Sequence, residues 1–407
     1  MTSSRASTLR ERPPGSSVPE VFMAFLKMGF TAFGGPTAHL GFFREEFVVK
    51  RKWLSESAYA DLVALCQFLP GPASSQVGMA LGLQRAGTLG LIAAWAAFTL
   101  PSAALLVLFA IAANSLDSLI GDGWMIGLKA ATVAVVAHAV LGMAKTLAPD
   151  APRATLAVAA MALVLLFPSP MIQVAVILGA GLIGLLWLRG HAPPAEQTEF
   201  SFARHSQRSA LIYLAIFLLL LFGLPVAAAI FDHGSLNLFE IFYSTGALVF
   251  GGGHVVLPML EAQTVSTGLV DHDAFLAGYA AAQAVPGPLF TFAAYLGMVF
   301  QAGPSGILGA AIALVAIFLP SALLIAAALP FWQRLRHSNV ARRALMGVNA
   351  AVVGLLAAAL YSPVFVQGAA TIPTLVLATA GFVALHSWKL APWLLVIASA
   401  LIGWMLF

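Results

Sequence analysis

Long apolar runs are the feature that most constrains this chain. Runs of about 20 residues recur from Val18 to Phe407, and a helix of that length spans the hydrocarbon core of a bilayer. Hydrophobic residues make up 60% of the 407 residues and charged residues only 9%, whereas soluble domains carry about 25% charged residues. The sequence therefore predicts an all-α polytopic membrane protein, embedded in a lipid bilayer, without a sizeable soluble domain.

Two of these runs are interrupted by the same helix-breaking motif. Gln67 is followed by Pro70-Gly71-Pro72, and Gln283 is followed by Pro286-Gly287-Pro288. Proline lacks an N–H and clashes with the preceding turn, yet it suits the first turn of a new helix. Each motif therefore predicts two half-helices that meet inside the hydrophobic layer. Broken helices at matching places in two halves are the best sequence indication of a binding site in a transporter.

Other motifs recur in the same order and at nearly the same spacing, which indicates an internal duplication. The matched pairs are Phe33-Gly34-Gly35-Pro36 with Phe250-Gly251-Gly252-Gly253, Leu100-Pro101-Ser102 with Leu319-Pro320-Ser321, and Gly127 with Gly347. The sequence thus predicts a cytoplasmic, disordered tail over 1–17, a first repeat over 18–189, a linker with one joining helix over 190–235, and a second repeat over 236–407.

Each repeat is expected to contain six hydrophobic segments. In the first repeat they cover 18–40, 56–83, 87–113, 124–146, 154–167 and 170–188, and in the second 236–259, 273–300, 305–330, 344–361, 371–386 and 390–407. A further run from Ala210 to Phe231 joins the two repeats.

Loop charges predict that the two repeats lie in opposite orientations. The first loop of repeat one is basic, with Arg44 and Lys50 to Lys52, whereas its counterpart in repeat two is acidic, with Asp271 and Asp273. The third loops reverse this pattern, and basic loops stay in the cytoplasm. An odd number of crossings must then lie between these loops, so one segment re-enters, and the Pro-Gly-Pro segment is the candidate. If the first segment of each repeat also re-enters, the remaining basic loops fall inside, giving about nine full crossings plus four re-entrant segments, about thirteen in all. The alternative, in which every segment crosses, places several basic clusters outside.

The breaks supply most of the candidate substrate ligands. A helix that starts after Pro72 points free N–H groups into the membrane, and such a terminus binds anions without a basic side chain. Neutral amide and hydroxyl groups can add donors, although a satisfied helix contact is the alternative role of each. The candidate substrate-binding residues are Gly34, Gly35, Pro36, His39, Gln67, Pro70, Gly71, Pro72, Ser74, Ser75, Gln76, Gly251, Gly252, Gly253, Gln283, Pro286, Gly287, Pro288 and Thr291.

Ionisable residues inside apolar runs are candidates for proton coupling, because such residues are costly in a membrane and mark function by default. His39, His254 and Glu240 are the candidates here, and buried structural roles or snorkelling remain the alternatives. Lys129 stands where repeat two has Asn349, and it could pair with an anion or snorkel. His138 has no ionisable counterpart in repeat two, so it is expected to be structural.

Several function classes are excluded. The single Cys66 leaves neither an internal disulfide nor a cysteine metal site, and no metal or cofactor is expected. The sequence has no phosphate-binding loop for ATP, and its scattered carboxylates do not form an acid–base pair. The basic residues sit in short loops, as expected at a membrane and not on a nucleic-acid surface. We therefore expect a transporter rather than an enzyme.

The paired motifs resemble those of the chromate ion transporter family in its long two-domain form. The resemblance rests on Phe33 to Pro36 with His39, on Phe250 to Pro258, and on the two Pro-Gly-Pro elements, and it runs from about Val18 to the C-terminus. One departure is Val270, which stands where repeat one has Trp53 and where the family often has tryptophan.

The resemblance implies a secondary transporter that exports chromate across the bacterial inner membrane, powered by the proton gradient. Transport of another oxyanion such as sulfate is the first alternative, because sulfate has the same charge and shape. A passive channel and a polytopic enzyme acting on lipid are the others, and a homodimer is an open question.

Overall fold

The computed structural model describes residues 17–188, 207–231, 233–250, 253–332 and 338–407. Most of the expected tail and of the polar linker lies outside these ranges. The helices of the first half are α1 (Val18–Thr31), α2 (Gly35–Phe43), α3 (Glu56–Phe68), α4 (Ala73–Ile120), α5 (Gly123–Leu147), α6 (Ala151–Leu166) and α7 (Pro170–Trp187). They are followed by α8 (Gln207–Phe231), α9 (Gly234–Leu248), α10 (Val256–Leu260), α11 (His272–Ala284), α12 (Phe292–Val299), α13 (Gly306–Ala328), α14 (Asn339–Ala359), α15 (Ile372–His386) and α16 (Pro392–Leu406).

Five stretches of the described chain are long and apolar enough to cross a membrane, which confirms a multi-pass membrane protein. They are Ala73–Ala113, Gly123–Leu147, Gln207–Phe231, Gly306–Phe331 and Asn339–Gly368. These stretches contain five of the nine expected crossings. The other four expected crossings correspond to α6, α7, α15 and α16, which are apolar helices of 15 to 18 residues. The total number of crossings therefore stays a prediction.

The helices break where the sequence motifs predict. α3 ends at Phe68 and α4 begins at Ala73, while α11 ends at Ala284 and a short 3₁₀ turn begins at Leu289. Gly71 and Gly287 adopt φ values of 114° and 96°, a region that residues with a Cβ rarely occupy. The helices that lead into the breaks, α1, α3, α9 and α11, have only 13 to 15 residues. That is about 20 Å, which is less than the hydrocarbon core of a bilayer.

After each Pro-Gly-Pro break the chain folds back on itself. The turn at Ala86 and Gly87 divides α4 into two helices, and the backbones of Gly82 and Gly90 touch across it. A straight helix would hold these two glycines about 12 Å apart, so the second part of α4 must return alongside the first. Gly297 of α12 and Gly309 of α13 make the corresponding contact in the second half.

One helix of each half packs against two helices of the other half. α5 packs against α15 and α16 of the second half, and α14 packs against α6 and α7 of the first. Two glycines allow these close contacts, because a Cβ on Gly127 would overlap the carbonyl of Ser399 and a Cβ on Gly347 would overlap that of Ala180. The halves therefore form one interlocked unit, with α8 lying at its edge against α9 and α13.

The first loop is anchored by an aromatic and cationic stack. Trp53 stacks on Phe47 with ring centroids 4.7 Å apart, and the guanidinium of Arg85 lies 4.9 Å from the Trp53 ring. Arg51 lies 5.6 Å from the same ring and pairs with Glu46. At the corresponding place in the second half, Val270 is buried. The departure at Val270 thus places a smaller apolar side chain, packed in the hydrophobic core, in the corresponding loop.

Candidate functional site

The two Pro-Gly-Pro breaks are tied to the opposite half by reciprocal hydrogen bonds. The backbone N–H of Gly71 donates to the carbonyl of Val249 at 2.6 Å, and that of Gly287 donates to the carbonyl of Ala32 at 2.9 Å. Val249 and Ala32 are the capping residues that directly follow α9 and α1. Each glycine amide is therefore used to hold the fold, and neither is free to bind an anion in this structure.

Serines of the repeated Leu-Pro-Ser motifs stand against the same two glycines. A Cβ added to Gly71 would overlap the hydroxyl of Ser321, and one added to Gly287 would lie 2.8 Å from the hydroxyl of Ser102. Each serine belongs to the half opposite its glycine. Four sequence motifs from both halves thus meet at two equivalent crossing points.

Two adjoining central cavities lie beside these crossing points. The first has a volume of about 450 Å³ and the second about 690 Å³, and both are in the range of small-ligand sites. They share a wall that includes Pro36, His138 and His254. Either cavity is large enough for a tetrahedral oxyanion together with several water molecules, since a water molecule takes about 30 Å³.

The cavity walls contain fewer than half of the sequence-predicted site residues. The predicted residues on the first cavity are Gly34, Gly35, Pro36, Gly253, His254, Gln283 and Gly287. Those on the second are Pro36, Gln67, Gly71 and His254. The two Gly-rich motifs also approach each other, because a Cβ on Gly253 would lie 3.3 Å from the ring of Pro36.

The polar groups on these walls are imidazoles, amides and a lysine, together with the hydroxyl of Thr146 and the thiol of Cys66 on the second cavity. Nδ1 of His254 lies 2.9 Å from the hydroxyl of Tyr279, and Gln283 lies beside the same hydroxyl. Lys389 lies on the first cavity and Asn349 on the second. None of the described residues that line either cavity is an aspartate or a glutamate. This composition suits a negatively charged ligand and disfavours a cation.

Other predicted ligands lie inside the protein, away from both cavities. Nε2 of His39 donates to the carbonyl of Ala32 at 3.1 Å, and its Nδ1 lies 3.4 Å from the hydroxyl of Ser74. The Gln76 amide donates to the carbonyl of Pro70 at 2.6 Å, and the Thr291 hydroxyl donates to its neighbouring carbonyl. Their donors therefore hold the breaks together in this conformation.

The remaining candidates fall into three groups. Ser75 is buried, and Pro72, Pro286 and Pro288 complete the breaks, but none of the four lines either central cavity. Glu240 is half-buried on α9 and also lies away from both. Gly251 and Gly252 lie outside the described residues.

Some polar side chains on the cavity walls were not among the sequence-predicted ligands. They include His138, which was expected to be structural, together with Lys389, Asn349 and Thr146. The available signal for His138 was an ionisable residue inside an apolar run. Comparison of the repeats does not identify His138, because the corresponding residue of repeat two is Ala358. A residue that only one repeat contributes cannot be found from the symmetry of the repeats.

A third cavity, of about 710 Å³, has the opposite electrostatic character. Asp122, Asp271 and Asp273 line it, and Nζ of Lys129 lies 2.6 Å from Oδ1 of Asp273. This ion pair joins α5 of the first half to α11 of the second. The acidic loops that the charge pattern assigned to one side of the membrane thus meet at one cavity. Among the described residues, no group of three or more His, Cys, Asp or Glu side chains could hold a metal ion.

Comparison with known proteins finds one family. The sequence profile of the family described as "Chromate transporter" matches this chain twice, over residues 19–185 and 236–404. A chromate transport protein of Pseudomonas aeruginosa is 30% identical over 98% of this chain and 95% of the relative. A probable chromate transport protein of Synechococcus elongatus is 28% identical over 95% of each chain, and a chromate transport protein of Cupriavidus metallidurans is 25% identical over 96% of this chain and 93% of the relative. No solved structure matches the chain.

Proposed function

The chain belongs to the chromate transporter family, and from this membership we propose that it is a secondary transporter that exports chromate. The observation that carries the proposal is the pair of central cavities, because imidazole, amide and lysine groups line them without a carboxylate among the described residues. Chromate is a tetrahedral dianion, and such donors bind it without the cost of a buried arginine.

The proposed architecture consists of two inverted repeats. It is supported by the two separate matches to one family profile and by the reciprocal contacts of Gly71 and Gly287. The short helices on either side of each break favour re-entrant segments over full crossings. Nine crossings and four re-entrant segments then place the basic loops in the cytoplasm and the acidic cavity on the outer side.

Substrate would bind between the Gly-rich and Pro-Gly-Pro breaks of both repeats. Gln67 and Gln283 are proposed as amide donors on the two cavities, and His254 as the proton-coupling residue between them. His39 and the donors Ser74 to Gln76 would reach substrate only in another conformation, since all four are buried here and His39, Ser74 and Gln76 are hydrogen-bonded inside the fold. Rocking of one repeat against the other would expose the site alternately to the two sides.

Chromate flux in inverted vesicles of a bacterial cytoplasmic membrane tests this proposal. Vesicles that contain the protein should accumulate radiolabelled chromate when a proton gradient is present, and an uncoupler should abolish the accumulation. Vesicles without the protein are the control. Flux that is indifferent to the uncoupler would indicate a channel, and absence of flux with the protein present would overturn the proposal.

Sulfate is the second candidate cargo, because it presents the same tetrahedral dianion to the same donors. The flux assay separates the two when excess sulfate is added to labelled chromate. Chromate uptake that survives the excess supports chromate as the preferred cargo. Competition that abolishes chromate uptake would indicate a broader oxyanion carrier.

A further inference from the structure

His138 occupies the wall between the two central cavities. It lies on α5, the helix that the first half inserts against α15 and α16 of the second half. Its side chain lines both cavities, as does that of His254 from the other repeat. Two imidazoles from opposite halves therefore border the same space at the centre of the molecule.

Unsatisfied polar atoms mark the first cavity as a ligand site. Nδ1 of His138 is buried without a hydrogen-bond partner among the described residues, and Nε2 of Gln283 is buried beside the Tyr279 hydroxyl without completing a hydrogen bond of good geometry. A buried polar atom without a partner destabilises the folded protein, because it has lost its hydrogen bond to water. Both residues line the first cavity, so a ligand or ordered water bound there would supply the missing partner.

The charges around His138 indicate the sign of that ligand. The His386 ring lies 5.9 Å from the His138 ring, centroid to centroid, and Lys389 and Lys145 are close enough to act on His138 electrostatically. His254 and His138 are likewise electrostatic neighbours. Positive or potentially positive groups thus surround the imidazole on several sides. An anion is the ligand that such a cluster stabilises.

We infer that a tetrahedral dianion binds between His138 and His254, with the amide of Gln283 as a further donor. This inference rests on the proposed function and specifies its site, because it adds a residue from a spanning helix that the repeat pattern did not identify. A dianion bound there would favour protonation of the imidazoles beside it, and a protonated ring would offset part of its charge inside the low-dielectric interior. Lys389 then lies at the rim of the first cavity and attracts the anion towards it.

Oxyanion binding to the purified full-length protein in detergent tests the inference. We expect His138→Gln to weaken chromate binding about ten- to hundredfold, the loss expected for one charge-assisted hydrogen bond. His233→Gln is the matched control, because His233 is an exposed histidine at the start of α9 and lines neither central cavity. The wild type and the control should bind equally.

A thermal-unfolding series separates a binding role from a structural one. The His138→Gln protein without anion should melt near the wild-type temperature, while the stabilisation by chromate should be lost. If His138→Gln does not fold, Gln283→Leu serves as the second variant and should also lose chromate stabilisation. Unchanged chromate affinity in the folded variant would overturn the inference.

The wild-type protein distinguishes failure of the site from failure of the function. Wild type that binds sulfate but not chromate, with sulfate binding lost in His138→Gln, supports the oxyanion site and removes chromate as the cargo. Wild type that binds neither oxyanion overturns the site and the proposed function together. If the wild type and the His138→Gln variant bind chromate equally, the proposed site is overturned and the proposed function is not.

Discussion

At the scale of single residues, the structure separates side chains that could meet a ligand from those that hold the breaks. Gln67 and Gln283 face cavities, and their position three residues before each first proline made both predictable from the sequence. Gln76 and Ser74 were equally polar and equally near a break, yet both are engaged inside the fold. Local sequence does not tell these cases apart, because the direction of a side chain depends on the helices that pack against it.

The first prediction concerns the glycine at the break of the first half. Gly71→Ala should abolish chromate transport and lower thermal stability, because a Cβ there would overlap the Ser321 hydroxyl in addition to the strain of a positive φ. Transport rate and melting temperature of the purified variant are the measurements.

The matched control for this prediction is Gly87→Ala. Gly87 also has a positive φ, of 70°, but no heavy atom lies within 4 Å of an added Cβ. This variant carries the backbone strain without the overlap and should retain most of its transport. Equal loss in both variants would show that backbone strain alone, and not the contact with Ser321, limits substitution at Gly71.

At the scale of helices, close packing of small residues decides how the elements assemble. α5 and α14 each insert between helices of the opposite half, and backbone-to-backbone contacts at Gly127 and Gly347 make this possible. The sequence had matched these two glycines to each other. The sequence did not reveal that the helices packed against them belong to the other half. A glycine indicates that a neighbouring helix comes close, but it does not indicate which helix that is.

We predict that Gly347→Ala destabilises the protein by about 1–3 kcal/mol, the cost of overpacking a tight contact. The added methyl group would overlap the carbonyl of Ala180 on α7. Gly179→Ala, on the same α7, is the control, because an added Cβ there meets nothing within 4 Å. Denaturation in detergent should distinguish the two variants, and equal stabilities would contradict the close contact of α14 with α7.

At the scale of the whole molecule, the cavities differ in the charge of the residues that line them. The two central cavities carry histidines and a lysine, whereas the third carries three aspartates around the Lys129–Asp273 pair. Asn349 takes the place of Lys129 in the repeat pattern and lies on a central cavity. Within the described part of the chain, the ion pair between Lys129 and Asp273 therefore joins the halves at the acidic cavity. Under the proposed orientation, an exporter would have to open it to release an anion.

This arrangement predicts that Asp273→Asn increases access to the acidic cavity. In a Cys66→Ala background, a cysteine introduced by Ile126→Cys should react several-fold faster with a membrane-impermeant thiol reagent once the pair is broken, because Ile126 lines that cavity. The reagent should act from the outer face of intact cells.

Asp122→Asn is the control variant for the labelling experiment. Asp122 lines the same cavity but does not form the ion pair with Lys129. Asp122→Asn should therefore leave the labelling rate near that of the Cys66→Ala, Ile126→Cys background. Labelling from the cytoplasmic side alone would contradict the proposed placement of the acidic cavity on the outer side.

The sequence by itself determined the properties that depend on local chemistry. Long apolar runs required a membrane-embedded, all-helical protein, Pro-Gly-Pro required breaks in two of the helices, and recurrent motifs indicated which positions correspond. Only the tertiary structure decided that α5 and α14 change places between the halves, that Gly71 and Gly287 bond across them, and that His138 borders both central cavities. These are contacts between residues far apart in the chain, and they follow from how helix surfaces fit together rather than from any local pattern.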